Sequence, residues 1–151
     1  MLEYRRGNIF TTKEEVIVHG CNCFNSFGAG IALQVYNTYP GAWMKDQLTR
    51  IGDRNKLGTI TYSIEENRFF PEHSVTIVNA YTQYRYTRDL VDVEYDKLLD
   101  CMIAVCETFD NGVISMPKIG CGLAGGDWKI VSEILETVSN EHDRVFRVYT
   151  L

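Results

Sequence analysis

The stretch Val16 to Leu33 constrains the fold more than any other part of the chain. Val16-Ile17-Val18 is a β-branched run, His19 to Ser26 turns polar, and Gly28-Ala29-Gly30 leads into the apolar Ile31-Ala32-Leu33. That order describes a buried strand, a polar loop and the start of a helix. Glycines at a loop-to-helix junction let backbone N–H groups come close to a ligand, and a helix start carries partial positive charge, so the fitting guest is an anion. The stretch therefore reads as an active-site loop.

The remaining segments extend the same alternation. Leu2 to Arg6 reads as an edge strand, Leu57 to Ile64 and Val75 to Ala80 as further strands, Val113 to Met116 as a short buried one and Arg144 to Leu151 as the last. Helical spacing marks 31–39, ended by Pro40-Gly41, then 42–50, and a long stripe at 95, 98, 99, 102, 103, 106 and 109. Asp127 stands where an N-cap is wanted, ahead of a helix striped at 130, 131, 134, 135 and 138. Tyr81 to Asp92 is polar and tyrosine-rich and reads as a surface loop, in which Tyr81, Tyr84 and Tyr86 either stack on a base or form a partly buried surface cluster. Strands alternating with helices imply a three-layer α/β/α sandwich around a mixed central sheet, as a single domain over residues 1–151.

Charge and cysteine usage narrow the function. A net charge of −5 argues against a non-specific nucleic-acid binder, so no nucleic acid is expected, and any anion must be held by backbone amides rather than a basic patch. The 5 cysteines lack paired ligand spacing and read as reduced thiols, so neither a metal nor a cofactor is expected. With no membrane-spanning run and no signal-like start, the expected location is cytoplasmic and no membrane partner is expected.

A second glycine loop, Ile119 to Gly126, also leaves a strand, and loops at the carboxyl ends of strands are where such sheets bind ligands. Two amide-rich loops facing one crevice suit a ligand with several phosphates, or a phosphate and a ribose. Gly120, Gly122 and Gly125 match G-x-G-x-x-G, but only one strand follows, so a dinucleotide-binding unit is incomplete. His19 is the one residue on the first loop with a reference pKa near neutrality, about 6.5, and is the candidate nucleophile or base. A core histidine is the alternative reading. A Cys-His pair with Cys21 stays open, Asn25 is equally a turn residue, and Asp127 is read as a cap rather than a catalyst.

The chain resembles the macrodomains, which bind ADP-ribose. The likeness rests on Gly7-Asn8-Ile9-Phe10, on Val18-His19-Gly20-Cys21-Asn22 with Gly28-Ala29-Gly30-Ile31-Ala32, and on Pro117 to Trp128, in family order from about residue 4 to 135. Its first loop is most similar to that of the yeast-type ADP-ribose 1″-phosphate phosphatases. The resemblance implies that Asn8 and Ile9 meet the adenine and that Asn22 holds the distal ribose and shares in catalysis with His19. It also implies that Gly20, Asn25, Gly28, Ala29, Gly30, Ile31 and Ala32 border ribose and phosphates, and that Ile119, Gly120, Cys121, Gly122, Leu123, Ala124 and Gly125 wrap the pyrophosphate. Asn8 stands where many members have Asp, and Ala124 where members that cleave ADP-ribose from proteins have an acidic residue.

The expected activity is hydrolysis of the terminal phosphate of ADP-ribose 1″-phosphate without a metal. The alternatives are a non-enzymatic ADP-ribose reader, or a hydrolase that removes ADP-ribose from protein side chains or acetyl from O-acetyl-ADP-ribose. Expected partners are ADP-ribose or its 1″-phosphate and an ADP-ribosylated protein.

Overall fold

In the computed structural model, which describes residues 1–87 and 89–151, the apolar runs pair into one six-stranded sheet. Arg88, inside the expected loop Tyr81 to Asp92, lies outside the described residues. The strands are β1 (Leu2–Arg6), β2 (Val16–Cys21), β3 (Ile60–Glu66), β4 (Ser74–Tyr81), β5 (Ile114–Met116) and β6 (Phe146–Thr150). Their spatial order is β1-β6-β5-β2-β4-β3, with every pair parallel except β3 against β4. Helices α1 (Gly30–Thr38) and α2 (Pro40–Gln47) pack on one face, α3 (Tyr95–Thr108) and α4 (Trp128–Glu141) on the other, which makes the expected sandwich. Pro40 both ends α1 and opens α2, because proline lacks the N–H that the first helical position would leave unbonded. Asp127 caps α4 by accepting from the Lys129 amide at 2.9 Å.

Parallel strands covered on both faces send alternate side chains into two cores. On β2, Val16 and Val18 join Val78, Ala80, Leu98, Met102, Leu135 and Phe146 beneath α3 and α4. Ile17 and Cys21 join Val35, Tyr39, Ala42, Ile77 and Tyr81 beneath α1 and α2. His19 has the parity of Ile17 and Cys21. It is therefore delivered to the second core, and Gly20 to the other side.

Just before β2 one carboxylate ties three segments together. Glu14, just before β2, accepts from Ser115 of β5 and from Arg147 and Tyr149 of β6, the latter two at 2.7 Å each. Burial alone would raise the Glu14 pKa, but the hydrogen bonds from Ser115, Tyr149 and Arg147 and the guanidinium charge outweigh it and hold it below the ordinary value. Its contribution to stability is accordingly full above the unfolded value of about 4.5 and lost as the pH falls through the folded one. Glu14→Gln should cost about 1–3 kcal/mol in urea denaturation at neutral pH. The gap between the two proteins should close as the buffer is taken below that range, and a gap constant with pH would show that the carboxylate charge contributes nothing.

Candidate functional site

The carboxyl ends of β6, β5, β2 and β4 open into a crevice of about 700 Å³ that runs across the sheet. From the β6 side its walls are Tyr149, Thr150 and Leu151, then residues 117–124 after β5, then Gly20, Cys21, Asn22 and Ser26 after β2 with residues 28–32 at the start of α1, and finally Gln83 and Tyr86 after β4. Of the expected ligand-binding residues the crevice gathers Gly20, Asn22, Gly28, Ala29, Gly30, Ile31, Ala32, Ile119, Gly120, Cys121, Gly122, Leu123 and Ala124.

Backbone geometry gives this crevice its chemistry. Among the described residues, no protein acceptor takes the amides of Gly28 to Ala32 or those of Gly122, Leu123 and Ala124, whereas Cys121, Gly125 and Gly126 spend theirs on folding the second loop. Unpaired amides on two facing loops, five of them at a helix start, form an anion cradle. Glycine is required at its floor, where a Cβ on Gly20 would lie 2.9 Å from Thr82 Oγ1. It is also required where the loops touch, since a Cβ on Gly30, at φ +59°, would lie 3.1 Å from Leu123 Cδ1. The Thr82 hydroxyl is buried and has no hydrogen-bond partner among the described residues.

Side chains hold the first loop from behind. Asn22 donates to Ser26 O at 3.0 Å and accepts from the Phe24 amide at 2.9 Å, closing the turn that sets out residues 28–32. Asn25, at φ 56°, does not line the crevice; its amide donates to Thr49 O and its carbonyl accepts from Lys56 Nζ at 2.6 Å. Lys56 is buried and also donates to Cys23 O and Thr49 Oγ1, so the expected ligand role of Asn25 is corrected to that of an anchor.

The expected catalytic role of His19 is corrected too. Its side chain is fully buried and absent from the crevice lining, with the ring edge-on to Phe27 at 5.3 Å. Its Nε2 donates to Asn79 Oδ1 at 2.7 Å, while the Asn79 amide donates to Ala42 O and Thr61 Oγ1, which fixes the tautomer. Burial pushes the imidazole down to about 4, so it is neutral at physiological pH. Cys21 faces the same core, with Sγ 3.6 Å from His19 Nε2, and burial pushes its thiol up, which leaves no Cys-His nucleophile.

Three more of the expected binding residues stand outside the crevice lining. Asn8 Oδ1, the expected adenine acceptor, accepts from the Phe10 amide at 3.0 Å and keeps a second lone pair, and Ile9 is buried in the α1/α2 core. Gly125 is also outside the lining, at φ +73° with Leu90 O 3.0 Å from where a Cβ would stand. Sequence reasoning missed Gln83, Lys118 and Tyr149 to Leu151 as crevice residues. Their only signal is position, in the last residues of β6 or one or two residues past the ends of β4, β5 and β6, strands that turn out to lie side by side with β2.

A second cleft, of about 500 Å³, lies at the amino-terminal ends of β2 and β4 and includes Glu15, Glu72 and Asp110. Three carboxylates make it unsuitable for an anion.

No family model matches the chain. It is 36% identical over 148 residues to the uncharacterized 17.5 kDa protein in the tk-vs intergenic region of Enterobacteria phage T4, covering 93% of this chain and 92% of that one. It is 28% identical over 178 residues to an ADP-ribose 1″-phosphate phosphatase of Debaryomyces hansenii, covering 98% and 99% of the two. Among solved structures the macrodomain of Mycobacterium tuberculosis DarG superposes with a TM-score of 0.76 at 20% identity, over 100% of this chain and 98% of that one.

A buried neutral histidine has a measurable consequence. Its folded pKa is depressed, so its stabilising effect is complete above the unfolded value of about 6.5 and falls by at most about 1.4 kcal/mol per pH unit as the pH drops toward the folded value. Against His19→Ala, wild type should therefore show the steeper loss of stability between about pH 6.5 and 4. At neutral pH the substitution should cost about 2–4 kcal/mol, through a cavity and an orphaned Asn79 carbonyl. Thermal melts that superimpose would return His19 to the list of exposed groups.

Proposed function

The chain belongs to the macrodomain family, of the type of the yeast ADP-ribose 1″-phosphate phosphatases, and we propose that its crevice binds ADP-ribose and releases the terminal phosphate of ADP-ribose 1″-phosphate. The observation that carries this reading is the facing rows of unpaired amides on residues 28–32 and 122–124. A pyrophosphate and a transferring phosphoryl group need many donors, and in a chain of net charge −5 the backbone supplies them. Lys118, whose Nζ stands 5.5 Å over the Trp128 ring, is the one cationic side chain among the described lining residues.

In this mechanism water attacks phosphorus, the P–O bond to C1″ oxygen breaks, and ADP-ribose and inorganic phosphate leave. The amides of Gly28 to Gly30 hold the phosphoryl oxygens as charge builds on them, the part a metal plays in other phosphatases. Asn22 is a positioning residue, because its side chain sets the turn that presents those amides. No lining group is a base poised near neutrality: burial raises the Cys121 thiol, and the Tyr149 phenol stands at about 12. Rate therefore comes from amide preorganisation rather than from a histidine.

Calorimetric titration should find one site for ADP-ribose and weaker binding of NAD. Nothing lies within 4 Å of a Cβ added at Gly122, so Gly122→Val should keep the wild-type melting temperature while weakening ADP-ribose by roughly tenfold or more. Normal binding by that variant would remove the second loop from the site.

Phosphate release from ADP-ribose 1″-phosphate should continue in the presence of a chelator. It should also stay nearly level between about pH 6 and 8, without the inflection that a histidine base would impose. Loss of release on chelation would sink the metal-free mechanism.

A further inference from the structure

The two edges of the sheet, β1 and β3, are built differently. The β1 edge carries charged side chains at Glu3, Arg5 and Arg6, a common protection against pairing with another strand. The β3 edge, Ile60-Thr61-Tyr62-Ser63-Ile64-Glu65-Glu66, has no lysine, arginine or proline. Its register with β4 runs unbroken from Ile60 opposite Ala80 to Glu66 opposite Ser74, without a bulge. The ladder is bracketed by the bond from the Tyr81 amide to Thr59 O at 3.1 Å and by that from the Asn67 amide to His73 O at 2.9 Å. Both fall on odd-numbered residues of this segment, so Thr61, Ser63 and Glu65 bond toward β4. The N–H and C=O groups of Ile60, Tyr62, Ile64 and Glu66 therefore point to the open edge. The same even-numbered residues turn their side chains to the face of α3, where Tyr62 meets Phe109 edge-on at 5.1 Å. The middle of the strand is left uncovered there, with Tyr62 40% and Ile64 69% exposed.

We infer that the β3 edge is a docking surface for a second copy of this chain, whose β3 pairs with it antiparallel across a two-fold axis at Ser63. In this register the edge is complementary to itself. The outward groups fall opposite one another, Tyr62 with the partner's Ile64 and Ile60 with the partner's Glu66, so the open donors and acceptors of the whole strand are used. The exposed Tyr62 and Ile64 cover each other's counterparts, and an aromatic beside a β-branched side chain is a favourable cross-strand pair. The carboxylates of Glu65 and Glu66 go to opposite ends of the joined strands, facing Thr61 and Ile60, so like charges do not meet. Moving the axis to Ile64 would instead set Tyr62 against the partner's Glu66 and leave Ile60 unpaired. The axis is normal to the sheet and reverses the second copy, so the two crevices open at opposite ends of the joined sheet and the pairing is independent of what they bind.

Sedimentation velocity over a concentration series, with thermal melts as the check on folding, tests this pairing. Wild type should pass from monomer to dimer as the concentration rises. Ile64→Lys, at an exposed position, should keep the wild-type melting temperature and raise the dimer dissociation constant roughly tenfold or more. Ser63→Cys reads the register. Residues that face each other in a non-hydrogen-bonded pair have Cα atoms about 4.5 Å apart, within reach of a disulfide, so mild oxidation should give a covalent dimer that reductant dissolves. Thr61→Cys, which faces the partner's Glu65, should cross-link no more than wild type under the same oxidation. A wild type that stays monomeric at every concentration overturns the inference, even if an extended peptide binds at the edge. So does a dimer that Ile64→Lys leaves intact, or one in which Ser63→Cys cross-links no more than Thr61→Cys.

Discussion

Every residue at the end of β2 must serve one of two masters, because the strand is central, parallel to both neighbours and covered on both faces. That alternation sends His19 into the core under α1 and α2, and places Gly20 on the side where a Cβ would lie 2.9 Å from Thr82 Oγ1. The crevice floor is bare backbone for this reason. A sheet slipped by one residue would put an imidazole at the floor and a glycine in the core, so register and site are one constraint.

The polar residues that enter the α1/α2 layer are not loose. His19, Asn79, Thr61, Tyr81 and Asp46 form a chain of hydrogen bonds from β2 across β4 and β3 to α2. Asn79 also binds Ala42 O at the start of α2. A buried network satisfied in this way locks one arrangement of helix on sheet, because any shift would strand a polar group in a medium that cannot solvate it. Burial raises the Asp46 pKa, and the Tyr81 hydrogen bond and Lys56 charge oppose that rise.

The division of labour between side chain and backbone follows. Lys56, Asn25, Thr49 and Asn22 are used up in holding the first loop, and what they hold toward the crevice is a run of amides. Such a wall suits an anion even on a protein of net charge −5, because fixed dipoles concentrated in a concave surface act over a short range, where net charge matters little.

The sequence by itself determined the layers, the strand and helix order, the two glycine loops and the Asp127 cap, because these depend on local periodicity and on the φ and hydrogen-bonding needs of single residues. It also marked the two loops whose backbone could cradle an anion, since Gly28 to Gly30 and the second glycine loop carry that signal locally. The tertiary structure alone decided which polar residues face the ligand. His19 and Asn25 sit on the same loop-bearing stretch as Gly30, yet one is a core residue and the other an anchor for Lys56, 31 positions away. Gln83, Lys118 and Tyr149 to Leu151 join the crevice only because β4, β5 and β6 end side by side with β2. Which face a strand residue points to, and which strand ends are neighbours, depend on pairing between segments far apart in the chain, and no local pattern records that pairing.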